Sequence, residues 1–455
     1  MSSQERRARE TGLDTVPVLD TVPVLDVDPL LDDPATRIIV CCGSGGVGKT
    51  TTAAALGVRA AERGRRAVVL TIDPARRLAQ SMGIDSLDNV PRRVKGIDEG
   101  AGGELHAMML DMKRTFDEVV EANAAPDRAR AILENPFYQS LSAGFAGTQE
   151  YMAMEKLGQL RARDEWDLIV VDTPPSRSAL DFLDAPKRLG SFLDGKFIRV
   201  LMAPAKVGGR AGMKFLNVGM SMMTGTLSKL MGGQLLRDVQ TFVAAMDTMF
   251  GGFRTRADAT YRLLQAPGTA FLVVAAPERD ALREAAYFVE RLAAEEMPLA
   301  GLVLNRVHGS GAPQLSAERA LAAAENLGQR GIVDQGDGNA GPRGSSTAAS
   351  PETPRTTARG GAEDTRTEDT QSEGTQPEDT HAEGDGEVAD DVAQLTAGLL
   401  RLHAERMQVL AREQRTRDRF TALHPEVAVT EVAALPGDVH DLAGLRDIGE
   451  RLSHR

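Results

Sequence analysis

The residues Gly43, Ser44, Gly45, Gly46, Val47, Gly48, Lys49 and Thr50 reproduce the spacing G-x-x-x-x-G-K-[ST], with Thr51 following directly. Each residue type has a use. Glycines leave consecutive backbone N–H groups unobstructed and able to converge on phosphate oxygens, and a lysine at this place carries positive charge to the β- and γ-phosphates. Thr50 offers a hydroxyl to Mg²⁺, and the helix that begins here adds the partial positive charge of its N-terminus. The loop follows the apolar run from Arg37 to Cys42 and precedes the helical-looking run from Thr51 to Ala60. In that strand, loop and helix context the pattern predicts a site for a nucleoside triphosphate with Mg²⁺.

Stepping from the loop to what must hold it, the chain alternates short apolar runs with stretches long enough for helices. Ala67 to Thr71, Leu105 to Leu110, Leu168 to Asp172, Phe271 to Ala275 and Leu302 to Asn305 are runs of the kind buried on both faces. This predicts an α/β fold, a mostly parallel sheet sandwiched by helices, with the ligand at the carboxyl ends of the strands. Asp73, Asp172 and Asn305 all fall at such ends. Taken singly, Asp73 before Pro74 can simply start a turn and Asp172 can close one. Their shared place at the loop's end of the sheet favours a role in the site.

Composition narrows the classes. The 455 residues are 42% hydrophobic, enough for a sizeable core, and the net charge of −12 is concentrated. Between Asp334 and Asp390 stand fourteen acidic residues and four arginines, which leaves about −2 for the rest of the chain. A nearly neutral body is not a nucleic-acid surface, which needs a basic face to release counterions. The same stretch runs in polar pentads from Ala362 to Gly386, too poor in apolar residues to fold, and is expected to be disordered. A six-residue repeat, Asp14 to Leu19 and Asp20 to Leu25, reads as an extended arm. Cys41 and Cys42 are adjacent in a buried strand and read as small core residues. There is no apolar run of eighteen residues and no leader pattern at Met1, so a cytoplasmic protein without stable membrane insertion is expected.

The ordered motifs resemble the ArsA-type ATPases, a branch of the P-loop NTPases related to MinD and the ParA proteins. The resemblance rests on the loop through Thr51, on Asp73-Pro-Ala to Leu78, on Asp172-Thr-Pro-Pro175 and on the strand ending in Asn305. It covers most of 37–327 and resumes near 419–452. It implies that ATP is the substrate and Mg²⁺ the cofactor. It further implies that Asp73 orients the attacking water, that Asp172 lies near Mg²⁺ with Thr50, that Asn305 hydrogen-bonds adenine and that the loop at Pro436 packs on the purine. Members of the family usually carry a lysine directly after the first glycine, reaching a partner's nucleotide across a dimer; here Ser44 stands there. A cation from Arg76, Arg77 or Arg177, a lysine-bearing partner subunit, or slow turnover would reconcile this. The chain is thus expected to form a homodimer or a heterodimer with a related ATPase, without the zinc-linking Cys-x-x-Cys of some relatives.

The domain plan that follows is a disordered tail over 1–34, an ATPase core over 35–331 with a helical insert about 186–262, an acidic linker over 332–390, and a closing segment over 391–455. The resemblance places a client-receiving subdomain in the insert. Seven methionines between Pro204 and Phe253 suit a surface that accepts apolar partners, though they equally suit an ordinary helical core. Val388 to Arg419 predicts a long charged helix, and Leu442, Leu445, Ile448 and Leu452 a final helix packed on the core. A regulatory subunit of low activity and a MinD-like spatial organiser are the competing functions. The organiser is disfavoured by the scarcity of basic residues on the last helix.

Overall fold

The computed structural model describes residues 23–72, 76–84, 86–136, 138–139, 148–174, 252, 255–333 and 383–453. The chain divides into two compact units, Met1–Gly309 with Arg412–Arg455, and Ser310–Ala411.

The first unit opens with α1 (Asp28–Asp32), β1 (Ile38–Gly43), α2 (Lys49–Glu62), β2 (Arg66–Thr71), α3 (Arg76–Ser81), β3 (Arg92–Arg93) and β4 (Glu104–Met109). It continues with α4 (Met112–Asn123), α5 (Pro126–Leu133), α6 (Thr148–Arg163), β5 (Leu168–Asp172), β6 (Thr269–Ala275), α7 (Arg279–Ala294) and β7 (Leu299–Val307). After the second unit come β8 (Val429–Ala433) and the last helix, treated below as α10 (Leu442–Arg451). The eight strands form one sheet in the order β3-β4-β2-β5-β1-β6-β7-β8. Every neighbouring pair is parallel except β3 with β4. This is the mostly parallel, helix-covered α/β sheet that the alternating pattern predicts.

Because side chains alternate across a strand, each central strand feeds two cores. Ile38, Val40 and Cys42 face a layer with Phe116, Tyr151, Leu157 and Phe288 from α4, α6 and α7. Ile39 and Cys41 face the opposite layer, with Ala53 to Leu56 of α2 and Leu445 and Ile448 of α10. Small residues let α2 lie close to the sheet, and α10 covers it, its first turn capped by Asp441 accepting from the Gly444 amide at 2.8 Å. The last helix is therefore a core helix, with Leu445, Ile448 and Leu452 buried.

Of the tail expected to be disordered over 1–34, residues 1–22 lie outside the described residues, while 23–34 are held against the sheet. The Val429 amide donates to Pro23 O at 2.9 Å and the Leu25 amide to Val429 O at 3.1 Å, so the segment runs along the edge of β8. Leu25, Val27 and Leu31 are buried. Arg59 of α2 donates to Asp28 at 2.5 and 2.7 Å, and Arg63 pairs with Asp32. The end of the repeat that reads as an extended arm, from Pro23 to Leu25, is held by a strand some four hundred residues downstream, which no local pattern announces.

The second unit holds α8 (Ala317–Val333) and the greater part of α9 (Glu383–Leu423), longer than the helix expected from Val388 to Arg419. His403 Nε2 lies 2.8 Å from Leu315 O. The linker expected over 332–390 falls largely outside the described residues, as do the methionine-bearing stretch, Gly252 excepted, and most of the insert. No helix among the described residues is long and apolar enough to cross a membrane.

Candidate functional site

The loop of Gly43 to Thr50 joins β1 to α2 at the carboxyl edge of the sheet, between the ends of β5 and β6. Two of its glycines are required by geometry. Gly43 has φ +147° and a Cβ there would meet Val274 O at 2.0 Å; Gly48 has φ +98° and a Cβ would fall 2.1 Å from Asn305 Nδ2. Any other residue would open the loop away from β6 or displace Asn305. Gly45 and Gly46 are exposed, Ser44 is half-buried, and Val47 anchors the loop in the core. The tip is thus bare backbone facing outward, while its two ends are fixed.

Lys49 is buried to 6% exposure at the first position of α2, and its Nζ donates to Ser44 O at 2.7 Å. The cation is folded across the mouth of the loop. Beside it, the Thr50 hydroxyl donates to Asp172 Oδ2 at 2.7 Å, and the Thr71 hydroxyl donates to the same oxygen at 2.9 Å. Asp172 is fully buried at the end of β5, in register with Cys41 on one side and Thr71 on the other. A buried carboxylate is costly unless hydrogen-bonded, and here hydroxyls from two elements meet that need at Oδ2. Next to it Thr173 donates to Cys41 O at 2.9 Å and Gln149 to Ile72 O at 3.0 Å, tying α6 and β5 to the same edge. Thr51 follows in the first turn of α2, half-buried.

Across the loop, Asn305 donates from Nδ2 to Val47 O at 2.8 Å and accepts at Oδ1 from the Arg306 amide at 3.0 Å. Pro436 is exposed in the turn after β8, and the Ala434 amide donates to Val307 O at 2.9 Å, which keeps that turn beside the end of β7. The structure therefore brings Lys49, Thr50, Asp172, Asn305 and the Pro436 turn to one edge. Asp73, Pro175 and Arg177 lie outside the described residues, as do the side chains of Arg76 and Arg77. Thr71, Thr173 and Gln149 were not singled out by sequence. Thr71 closes an apolar run as an unremarked polar residue, and only the pairing of β2 with β5 shows what it holds.

The two cysteines add no chemistry at neutral pH. Burial pushes the Cys42 thiol up to about 12, against a smaller downward pull from Lys49. Cys41 is raised by burial first and by Asp172 second. The site's donor set is instead hard oxygen, a hydroxyl and a carboxylate side by side, which suits Mg²⁺ and not a soft metal.

A family model described as anion-transporting ATPase matches residues 36–322. The chain belongs to the ArsA ATPase family. Among curated proteins, this ArsA-family chain is 30% identical over 158 residues to the ATPase GET3 of Malassezia globosa, covering 35% of this chain and 45% of that one. It is 27% identical over 268 residues to the ATPase ARSA2 of Chlamydomonas reinhardtii, covering 58% and 66%. It is 25% identical over 300 residues to the ATPase GET3 of Podospora anserina, covering 64% and 80%. The alignment to the Malassezia relative thus spans less than half of that protein's length. The description of that family is of an ATPase.

Proposed function

We propose that this chain is a Mg²⁺-dependent ATP hydrolase whose nucleotide state governs the conformation of a dimer and, through it, the handling of a client. The observation that carries the reading is the joint placement of Lys49 and the Thr50–Asp172–Thr71 cluster against an outward-facing glycine backbone. The amides of 45–50 bind phosphate oxygens, and Lys49 exchanges its bond to Ser44 O for one to the β- and γ-phosphates. Thr50 and Asp172 would hold Mg²⁺, which when bound supplies neutralisation of phosphate charge. Asp73 takes its role of aligning water from the family resemblance. Asn305, clamped to Val47, and the Pro436 turn receive the base. Because the fixed side chains already stand at the sheet edge, little reorganisation is needed on binding, and most of the catalytic effect is positioning.

The dimer is a homodimer or a pairing with a related, lysine-bearing ATPase, and the client, an apolar protein segment or an anion complex, is received by the insert about 186–262. Ser44 favours a second reading as well, a slow subunit of a mixed pair, since a half-buried serine whose carbonyl is already taken by Lys49 contributes no cation to a partner. Titration calorimetry with MgATP together with phosphate release tests the proposal. Wild type is expected to bind and turn over ATP, and Lys49→Ala to lose tight binding. Asp172→Asn is expected to keep nucleotide affinity without Mg²⁺ and lose its enhancement by Mg²⁺. Unaltered MgATP binding by Lys49→Ala would overturn the reading. Ser44→Lys is expected to raise turnover if the chain pairs with itself.

A further inference from the structure

Arg306 stands in a backbone conformation that arginine does not favour. Its φ is +62°, one of three positive values among non-glycine residues described. The pairing of β7 with β8 is irregular at this point: Asn305 faces Val432, Val307 faces Ala433, and Arg306 is the extra residue between them. In bulges of this kind the left-handed position is usually glycine, because a side chain there is strained. A bulge next to a site re-aims a side chain, and strain of this kind persists where something is gained by the residue that bears it.

Among the described residues nothing accounts for the guanidinium. Arg306 is exposed and its side chain makes no ion pair or hydrogen bond among the described residues. Two carboxylates of this part of the fold are already engaged, Glu413 by His308 at 2.6 Å and Glu431, opposite Leu304 in the ladder, by Arg417. Its amide does have a task, donating at 3.0 Å to Asn305, which in turn grips Val47 O of the phosphate loop. The bulge therefore fixes Asn305 and releases the neighbouring arginine outward at the same edge.

We propose that Arg306 covers the purine base of the bound nucleotide with its planar guanidinium. The inference rests on the nucleotide-binding reading above and adds a contact to it. Base, not phosphate, follows from the strand order. The phosphate loop leaves β1, and β7 lies two strands away beyond β6, a lateral distance of roughly 10 Å at ordinary strand spacing. A nucleotide whose phosphates sit on the loop reaches the end of β7 with its base. A guanidinium stacks on a flat π-system, and the fork left free can meet ring nitrogens at its edge.

The measurement is calorimetric titration of the full chain with ATP, ADP and inorganic tripolyphosphate, each with Mg²⁺, alongside thermal melts without ligand. Arg306→Gly is expected to weaken ATP and ADP by about tenfold, a loss of the size stacking supplies, to leave tripolyphosphate binding unchanged, and to melt no lower than wild type. That last sign is opposite to what loss of a structural residue would give, because glycine adopts positive φ without cost. Arg306→Asn, tolerant of the same backbone, is expected to repeat the affinity loss and guards against a folding defect in the first variant. Unchanged ATP and ADP affinity in both variants overturns the proposal while leaving the nucleotide site intact. An equal loss for tripolyphosphate assigns the guanidinium to phosphate and overturns the base contact. A wild-type chain that binds no ATP overturns the nucleotide reading itself, and this inference with it.

Discussion

Helix α2 and helix α9 are both rich in alanine, yet they present opposite sides of the same chemistry. In α2 the run Ala53, Ala54, Ala55, Leu56 is buried together with Val58, Ala60 and Ala61, so small and large residues alike are inside. In α9 the large Phe420 is buried near the end, but over 392–404 the buried residues are small: Ala397 and Ala404 are covered, whereas Leu395, Leu399 and Leu402 are 70%, 67% and 63% exposed. Val392 joins them, and the four recur at spacings of three, four and three, one face of a helix. On α8 the pattern repeats, with Ala320 and Ala324 buried and Leu321 exposed at 37%. The difference is what each helix meets. A sheet offers a broad apolar surface that accepts every side chain on a wide arc, while a contact made by alanines covers a narrow strip and leaves leucines outside it. Apolar periodicity reports which residues share a face and is silent on whether that face is covered.

The contrast is broken most sharply by truncating one large side chain in each setting. Phe271→Ala, in β6 at 2% exposure, is expected to cost about 3–5 kcal/mol. Leu399→Ala, at 67% exposure, is expected to change stability by less than about 0.5 kcal/mol. Urea unfolding followed by circular dichroism decides it, and comparable losses at the two positions would show that α9 is covered in solution.

A smaller effect is expected inside the loop. Gly48→Ala places a methyl 2.1 Å from Asn305 Nδ2 at φ +98°, and should lower stability by about 1–3 kcal/mol while weakening ATP more than tenfold. Gly398→Ala in α9 meets no atom within 4 Å and is expected to stabilise by up to about 1 kcal/mol, as alanine does in an open helix position. Opposite signs in the melting temperatures of these two substitutions would sharpen the comparison.

The smallest effect concerns pH. His106 in β4 packs against Trp166 with ring centroids 4.7 Å apart and the planes tilted by 58°, and burial holds its pKa below the ordinary histidine value. The folded state thus favours the neutral ring. Its contribution is fully present above an unfolded pKa of about 6.5 and is lost as pH falls through the window beneath it. The urea midpoint of wild type is expected to drop between pH 7.5 and 5.5 by more than that of His106→Gln, and equal drops would remove His106 from the account.

Much of the site was legible because its residues obey local rules. The loop from Gly43 to Thr50 is contiguous, and Asp172 and Asn305 close apolar runs whose direction relative to the loop follows from the parallel pattern. Thr71 was not legible as the second hydroxyl on Asp172, since that depends on β2 and β5 being neighbours in register. The segment from Pro23 to Asp33 was misread because its partner β8 lies far along the chain. Arg306 was passed over because a bulge has no composition of its own when the residue in it is not glycine.

The adjacent cysteines of β1 acquire a use from the alternation of the strand. They are the chain's only two thiols, yet one opens into each hydrophobic layer of the sheet. Buried and protonated at neutral pH, they react with an alkylating reagent only when the layer above them lifts. Single replacements of either by alanine turn the remaining thiol into a clock for its own side: rates that match at Cys41 and Cys42 report opening of the whole sheet, and rates that differ report that one coat of helices comes away before the other. The strand that ends at the phosphate loop thus carries a native pair of reporters on the protein's own breathing.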